Sequence, residues 1–475
     1  MRTTDMLTHH GTLPALALCL LLSACGGSGS SSSQPDPAPD PAPGPAPAPQ
    51  PNVYDDFSAA TISTARWLDQ EFRRIPGSLI LEQAFTGGGV ARQDNPLAFA
   101  SPSSIQSISV PVRIDIADVT DTVDNNGRVR FGIAGSWYND GRRGPGATGD
   151  VTAEVRVVRN AGGNLQAEYV VSRCENADCS QFQDLVVTPA FAPVSLGQEH
   201  VLSISWDGAQ LTFAVDQTSA HYPASGLPVA PSNQPFKQIR TRIERLGSPA
   251  ESAHIRATAR NVTVNGVEYD DFAATTLDPA KWLSHDFERG ISNGSLHSRI
   301  ASHNGQTANN SLRLINPAGV RKLGATVRIL DAVNNGSEPR ARLGGFWYHT
   351  GLGGGGATGE LYGETAIIEQ GGELRGRALL FRCEDANCVA GSVLLSDTDT
   401  LGVVTPDTAY PASIEWDGTR FEFKLGERAL THQPTGAGLP SGPSQTPQRL
   451  IGTRLLGDGS GSIHATFDDV VVERD

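Results

Sequence analysis

The sequence predicts an all-β fold: two tandem antiparallel jelly-roll β-sandwiches behind a disordered Pro-rich tether. Three observations carry this. One module is written twice, apolar residues alternate with period two, and turn formers abound, with 52 Gly and 31 Pro among 475 residues. Tyr54-Asp55-Asp56-Phe57 recurs as Tyr269-Asp270-Asp271-Phe272, and Trp67-Leu68 as Trp282-Leu283. Trp137-Tyr138 recurs as Trp347-Tyr348, and Trp206-Asp207-Gly208 as Trp416-Asp417-Gly418. All 6 tryptophans fall at paired positions. A period of roughly 210 residues is too long for a solenoid repeat, so each copy is a domain. The copies span 53–267 and 268–475.

Within copy one, 128–138 alternates, with Val129, Phe131, Ile133 and Trp137 on one face and Arg130, Ser136 and Tyr138 on the other. Residues 150–158 alternate again, and 201–206 and 211–215 read as a hairpin about Asp207-Gly208. Between the copies, 262–269 reads as strand, Asn265-Gly266 turn, strand. The last strand of copy one thus turns straight into copy two, which predicts a fixed relation between them.

The formal net charge of −14 repels phosphate and excludes nucleic acid as a natural partner. The chain is 38% hydrophobic and 19% charged, which fits neither a disordered chain nor a multi-span membrane protein. The apolar run Leu13–Leu22 is too short to span a membrane. It ends in Leu22-Ser23-Ala24-Cys25, which resembles the lipobox of bacterial lipoproteins. That resemblance implies a signal peptide over 1–24, lipidation of Cys25 and anchoring in a membrane. Gly26 follows the cysteine, which by the same sorting rule implies the outer membrane. Residues 26–33 are only Gly and Ser, and every second residue from Pro35 to Pro51 is Pro. Residues 25–52 therefore read as a flexible then polyproline II spacer, reaching roughly 50 Å from the lipid.

The opening Asp-Asp-Phe with its later Trp, and the Trp-Asp-Gly hairpins at 206–213 and 416–423, resemble concanavalin A-like lectins and laminarinase-type glucanases. The resemblance implies a sandwich of two curved sheets, one concave. It does not imply catalysis, because that superfamily holds lectins, hydrolases and lyases alike.

Cys174 with Cys179, and Cys383 with Cys388, form two identical Cys-x4-Cys pairs. An exported chain meets an oxidising compartment, so each pair reads as a disulfide. A four-thiolate zinc site is the alternative, and one pair per domain argues against it.

The candidate glycan-binding face is the polar side of the alternating strands. It comprises Arg130, Tyr138, Asp150 and Glu154 in copy one, and Arg340, Arg342, Tyr348, Glu360, Tyr362 and Glu364 in copy two. In laminarinase-type enzymes a similar strand carries Glu-x-Asp-x-Glu, but Thr152 and Tyr362 stand at the middle position here. Four residues of strand separate Cα atoms by about 13 Å, whereas retaining hydrolysis needs carboxyls about 5 Å apart. No catalytic residue is assigned, and pairing of the carboxylates with Arg130 and Arg156 is the competing reading. Asp121, Asp124, Asn125 and Asn126, echoed by Asp331, Asn334 and Asn335, offer oxygen ligands for calcium or form strand turns. Gly144–Gly149 matches G-x-G-x-x-G, but a strand follows it, so it reads as a hairpin loop. Three functions remain open: polysaccharide binding, a scaffold for a cell-surface protein, and glycan cleavage.

Overall fold

The computed structural model describes residues 53–475, apart from 87–89, 122–125, 143, 225–228, 249–250 and 304–306. Cys25, the signal segment and the tether lie outside the described residues. The described chain is built from antiparallel strands, and it folds as two β-sandwiches. Each has a private six-stranded sheet. In the first, its order is Val90–Ala98, Lys237–Leu246, Arg128–Asn139, Asp150–Asn160, Gln166–Cys174, Phe182–Pro193. In the second, it is Ala308–Arg313, Gly442–Leu456, Glu338–His349, Glu360–Gln370, Glu373–Cys383, Gly391–Asp397.

The opposing layers of both sandwiches belong to one continuous 17-stranded sheet. From its centre outward, Phe72–Ile75 pairs Leu79–Thr86, then Ser252–Ala259, Ser107–Thr120 and Glu199–Trp206. On the other side, Phe287–Ser292 pairs Ser295–Ser302, then Ser460–Arg474, Val320–Asn335 and Tyr410–Trp416. The halves join where Phe287, Glu288 and Arg289 pair Arg74, Arg73 and Phe72. The order is a palindrome about that pair, so the repeats are related by a pseudo-two-fold axis. The Phe72 and Phe287 rings meet edge to face at 5.1 Å across it. Arg74 donates to the His285 carbonyl, the Asn95 side chain and the Pro96 carbonyl. Its counterpart Arg289 donates to the Gln70 carbonyl, the Asn310 side chain and the Ser311 carbonyl. Each arginine therefore stitches its own repeat to the other one.

The cores do not divide at 267/268. Asn265 (φ 51°) and Gly266 (φ 77°) form the tight turn read from the sequence. It lays Val267–Asp270 against Val262–Val264, the last strand of copy one. Phe272, Leu277 and Trp282 then enter the first core, where Trp282 bridges Phe99. Reciprocally, Val53–Asp55 pairs the last strand of copy two, and Phe57, Ile62 and Trp67 fill the second core, with Trp67 bridging Leu314. The opening segments are exchanged. Sequence reading assigned each to its own repeat, because a local motif is the same whichever core receives it.

The repeated Asp-Asp-Phe motif is the fixture that shapes this plug. Asp55 accepts the Phe57 amide and the Trp67 indole N–H, at 3.0 and 2.6 Å. Asp270 does the same for Phe272 and Trp282, at 2.9 and 2.6 Å. These bonds hold Phe57 (φ 47°) and Phe272 (φ 55°) in the left-handed region and stack each ring on its tryptophan. Both disulfides expected from the sequence are formed.

Trp67→Ala is expected to cost about 3–5 kcal/mol. The loss should fall on the second sandwich, although Trp67 belongs to the first repeat. Hydrogen exchange mapped along the chain checks this, and selective deprotection of the first sandwich would refute it.

Candidate functional site

The polar face of each six-stranded sheet is set by alternation until a bulge interrupts it. Ser136 stands opposite Thr152, but Tyr138 stands opposite Val151, so Trp137 is an extra residue. Copy two repeats this at Phe346, Trp347 and Tyr348. One added residue reverses the facing of every residue beyond it on the strand. Tyr138 and Tyr348, expected on the polar face, are therefore core residues, 4% and 3% exposed. Tyr138 stacks on Trp206 at 4.4 Å, and the Tyr348 hydroxyl donates to the Gly438 carbonyl at 2.6 Å. A buried cation closes each bulge. Lys237 donates to the Ser136 carbonyl and lies 4.4 Å from the Trp137 ring centre. Arg449 donates to the Phe346 carbonyl and lies 3.8 Å from the centre of Trp347. Burial pushes the Lys237 ammonium down to about 8.

Asp150 and Glu360 are also interior. Asp150 accepts from the Ser232 hydroxyl, the Asn233 and Gln234 amides and the Asn139 side chain, each at 2.8 Å. Glu360 accepts the Gln445 and Thr446 amides. Asp150 clamps the loop that leads into the strand carrying Lys237, and Glu360 clamps the unpaired stretch within Gly442–Leu456, the strand carrying Arg449. The preceding glycine loop docks on the disulfide loop, Ala147 donating to Ala177 and Ala357 to Ala386. A Cβ on Gly146 (φ 57°) would lie 2.2 Å from the Ala177 carbonyl oxygen, which explains that glycine.

The remaining candidates form charge lattices. Glu154 is ringed by Arg130, Arg240 and Arg156, at 3.3, 3.1 and 3.6 Å. Arg130 also pairs Glu244, Arg156 pairs Glu168, and Arg242 pairs Asp94 and Glu244. Burial alone would raise the Glu154 carboxyl, but the guanidinium groups outweigh it and hold the carboxyl well below the usual range. Of this cluster, the pairing of Glu154 with Arg130 and Arg156 was legible. Arg240, Arg242 and Glu244 were not singled out, although their alternation along one strand marked them.

The second face is built differently. Glu364 binds Arg340 at 2.9 Å and Arg342 at 3.2 Å, and accepts the Tyr362 hydroxyl at 2.9 Å. Burial would raise the Glu364 carboxyl, but Arg340 and Arg342 bring it down to about 2. Glu154 and Glu364 are thus fixed as anions, which suits neither for donating a proton to a leaving group near neutral pH. Arg340 and Arg377 share Glu338, whereas Arg454 is in no ion pair within 4 Å among the described residues. The Nε–H groups of Arg340, Arg342, Arg377 and Arg454 find no hydrogen-bond acceptor there. Beside them the half-buried Phe346 and Tyr362 rings meet at 5.8 Å.

Phe346 joins this face to a cleft of about 440 Å³ at the end of the second sandwich. Its walls include the half-buried Trp416 and the Arg449-capped Trp347, and its rim carries Arg321, Asp417 and Asp475. Sequence reading placed Trp416 in the core. It packs there through Phe421 at 4.6 Å while another part of it lines the cleft.

Of the calcium candidates, Asp124 and Asn125 lie outside the described residues. Asp121 accepts the Gly127 amide at 2.6 Å, and Asn334 accepts the Gly336 amide at 3.1 Å. The Asn334 bond closes a turn.

No family model matches the chain, and no curated protein matches it. Solved structures align along most of its length. The LG4-5 domains of mouse laminin alpha1 share 8% identity, covering 82% of this chain and 91% of theirs, with a TM-score of 0.20. A Clostridium perfringens endo-β-galactosidase that releases GlcNAcα1-4Gal shares 9%, covering 86% and 98%, at 0.25. A Trypanosoma rangeli sialidase mutant with trans-sialidase activity shares 7%, covering 67% and 66%, at 0.19. Likeness at this level carries no argument about function.

Glu364 gives a pH prediction with a definite sign. Its folded carboxyl lies near 2, below the ordinary 4.5. Its stabilising contribution is present above pH 4.5 and is lost as pH falls toward 2, on the order of 3 kcal/mol in all. Urea midpoints measured from pH 6 to 2 should fall across that window. In Glu364→Gln this part of the slope should vanish, and stability at pH 7 should drop by about 3–5 kcal/mol because Arg342 loses its counter-ion and Arg340 keeps only Glu338.

Proposed function

We propose that this chain is a lipid-anchored protein of the bacterial cell envelope, in the outer membrane, whose second sandwich binds polysaccharide. The observation that carries the binding reading is the continuity of the Trp416 cleft with the Arg342–Tyr362 face through Phe346. A chain of sugars offers apolar ring faces and a fringe of hydroxyls. Half-buried aromatic rings suit the first, and the solvent-accessible Arg321 and Asp417 side chains beside the cleft suit the second. The reading places the protein among lectin-like members of the concanavalin A-like superfamily and leaves the first sandwich a supporting role. The Leu22-Ser23-Ala24-Cys25 motif supports the anchor, and the Pro-rich tether supports action away from the lipid surface.

A panel of neutral and acidic polysaccharides, titrated against the full protein with and without calcium, tests the binding. Trp416→Ala and Phe346→Ala should each weaken it by about 1–2 kcal/mol, while Trp206→Ala should leave it unchanged. A blank panel with folded protein would overturn the reading in favour of a protein partner. Release of Cys25→Ala from the membrane fraction is the expected outcome for the anchor. Retention of that variant would refute lipidation at Cys25.

A further inference from the structure

The outer side of the continuous sheet carries a row of titratable groups across the junction. His254 bonds Glu82 at 2.9 Å, Glu82 bonds Arg73 at 2.7 Å, and Arg73 meets Glu288 at 3.3 Å. Beyond the axis the row ends differently. His297 Nδ1 lies 3.1 Å from His464 Nε2, which lies 3.7 Å from Glu288 Oε2. We propose that Glu288, His297 and His464 form a binding site for a divalent transition-metal ion of the zinc and copper class.

The geometry is that of a ligand set. Nδ1 of His297, Nε2 of His464 and a Glu288 oxygen all lie within 4.8 Å of one another. A tetrahedral ion with bonds of about 2.0–2.1 Å has ligand–ligand edges near 3.3 Å. The observed spacings bracket that edge, so small rotations of the side chains suffice. Two imidazoles and one carboxylate suit zinc, copper or nickel rather than magnesium or calcium.

The surroundings prepare the donors. Arg73 engages Oε1 of Glu288 and leaves Oε2 turned toward the histidines. Its guanidinium lies over Gly290, where a Cβ would come within 2.5 Å of it. Arg299 stands between Glu288 and His464 in the strand pairing, but its side chain is drawn away to Asp286 at 2.6 Å. Both guanidinium groups oppose a second cation, and Glu82 and Asp286 offset them. Burial lowers both imidazoles from their ordinary protonation range, which favours the uncharged rings that a metal binds. Both histidines are half-buried on the outer face, which leaves an entry path and room for an exogenous fourth ligand.

The first repeat is the internal control. By the pseudo-two-fold, Arg73, Ile80 and Arg256 occupy the positions of Glu288, His297 and His464, so the first repeat has no such ligand set among the described residues. There Glu82, at the position of Arg299, closes on Arg73 and His254. The metal site is independent of the polysaccharide cleft.

The test is calorimetric titration of Zn²⁺ into the chelator-stripped full protein made without a histidine tag, with the Co²⁺ absorption spectrum beside it. One ion per chain is expected at micromolar affinity or tighter, with the intense visible bands of four-coordinate cobalt. His297→Asn and His464→Asn should each weaken binding at least roughly tenfold, and His254→Asn should not. Absence of saturable binding overturns the proposal. So does binding that survives in the His297→Asn/His464→Asn double variant, which would belong to other histidines. If a variant fails to fold, the cobalt spectrum of the unaltered protein decides, and a pale six-coordinate spectrum counts against the site.

Discussion

The indole–carboxylate bonds of Trp67 with Asp55 and Trp282 with Asp270 are what the rest of the architecture depends on. Each bond fixes an aromatic plug, and each plug completes a core that the other repeat supplies. A sandwich of one repeat alone would keep its plug only by folding the opening segment back on itself. The exchange instead ties the start of the described chain to its last strand and ties the middle of the chain to itself by a two-residue turn. Since both plugs make equivalent contacts, the plugs alone do not favour exchange over self-closure. The preference comes from the junction, where contacts exist only in the exchanged form. Arg313 grips Asp69 in two parallel bonds there, and Arg74 and Arg289 bind carbonyls of the opposite repeat. With the sheet running unbroken through the axis, the two sandwiches have no hinge between them.

Much of this fold was legible, and the exceptions share a cause. Strands such as Arg128–Asn139 and Asp150–Asn160 follow from alternation, the turn at Asn265-Gly266 from its residue types, and the disulfides from spacing and compartment. These are local properties. The exchange is not local, because the Tyr-Asp-Asp-Phe plug reads identically whichever core it enters. The bulge at Trp137 is a matter of one residue, and parity counting carries straight through it to the wrong face for Tyr138. The carboxylates were placed on the correct strands, yet what engages them arrives from distant sequence. Asp150 is claimed by amides at 233 and 234, and Glu154 by Arg240. Such partners become visible only when the sheet order is known.

The repeats have then diverged around a common frame. The first lattice sets Glu154, Glu168, Glu244 and Asp94 against its guanidinium groups, leaving Arg130 Nε and Arg242 Nη2 without an acceptor among the described residues. In the second, Asn309 stands where Asp94 stood, Ala366 and Arg377 replace the Arg156–Glu168 pair, and Leu456 replaces Glu244. Three carboxylates have gone from one face and one, Glu338, has come in where Arg128 stood, while Arg342 has been added in place of Gly132. Buried charge without a full set of partners is costly. A face that keeps such donors beside two half-buried aromatic rings is poorly explained by stability alone.

The same asymmetry recurs at the junction, on the opposite layer. One side closes His254, Glu82 and Arg73 into a neutralised row, and the other leaves two imidazoles facing a carboxylate. At the junction the first repeat is the more fully paired, while on the sheet faces both repeats keep buried guanidinium N–H groups without an acceptor among the described residues, at Arg130 and Arg242 in the first and at four arginines in the second. Duplication explains how this can arise without loss of the fold. The exchanged plugs let one repeat hold the other's core closed, so side chains on the second can drift from mutual pairing toward outside ligands while the first keeps the shared sheet rigid.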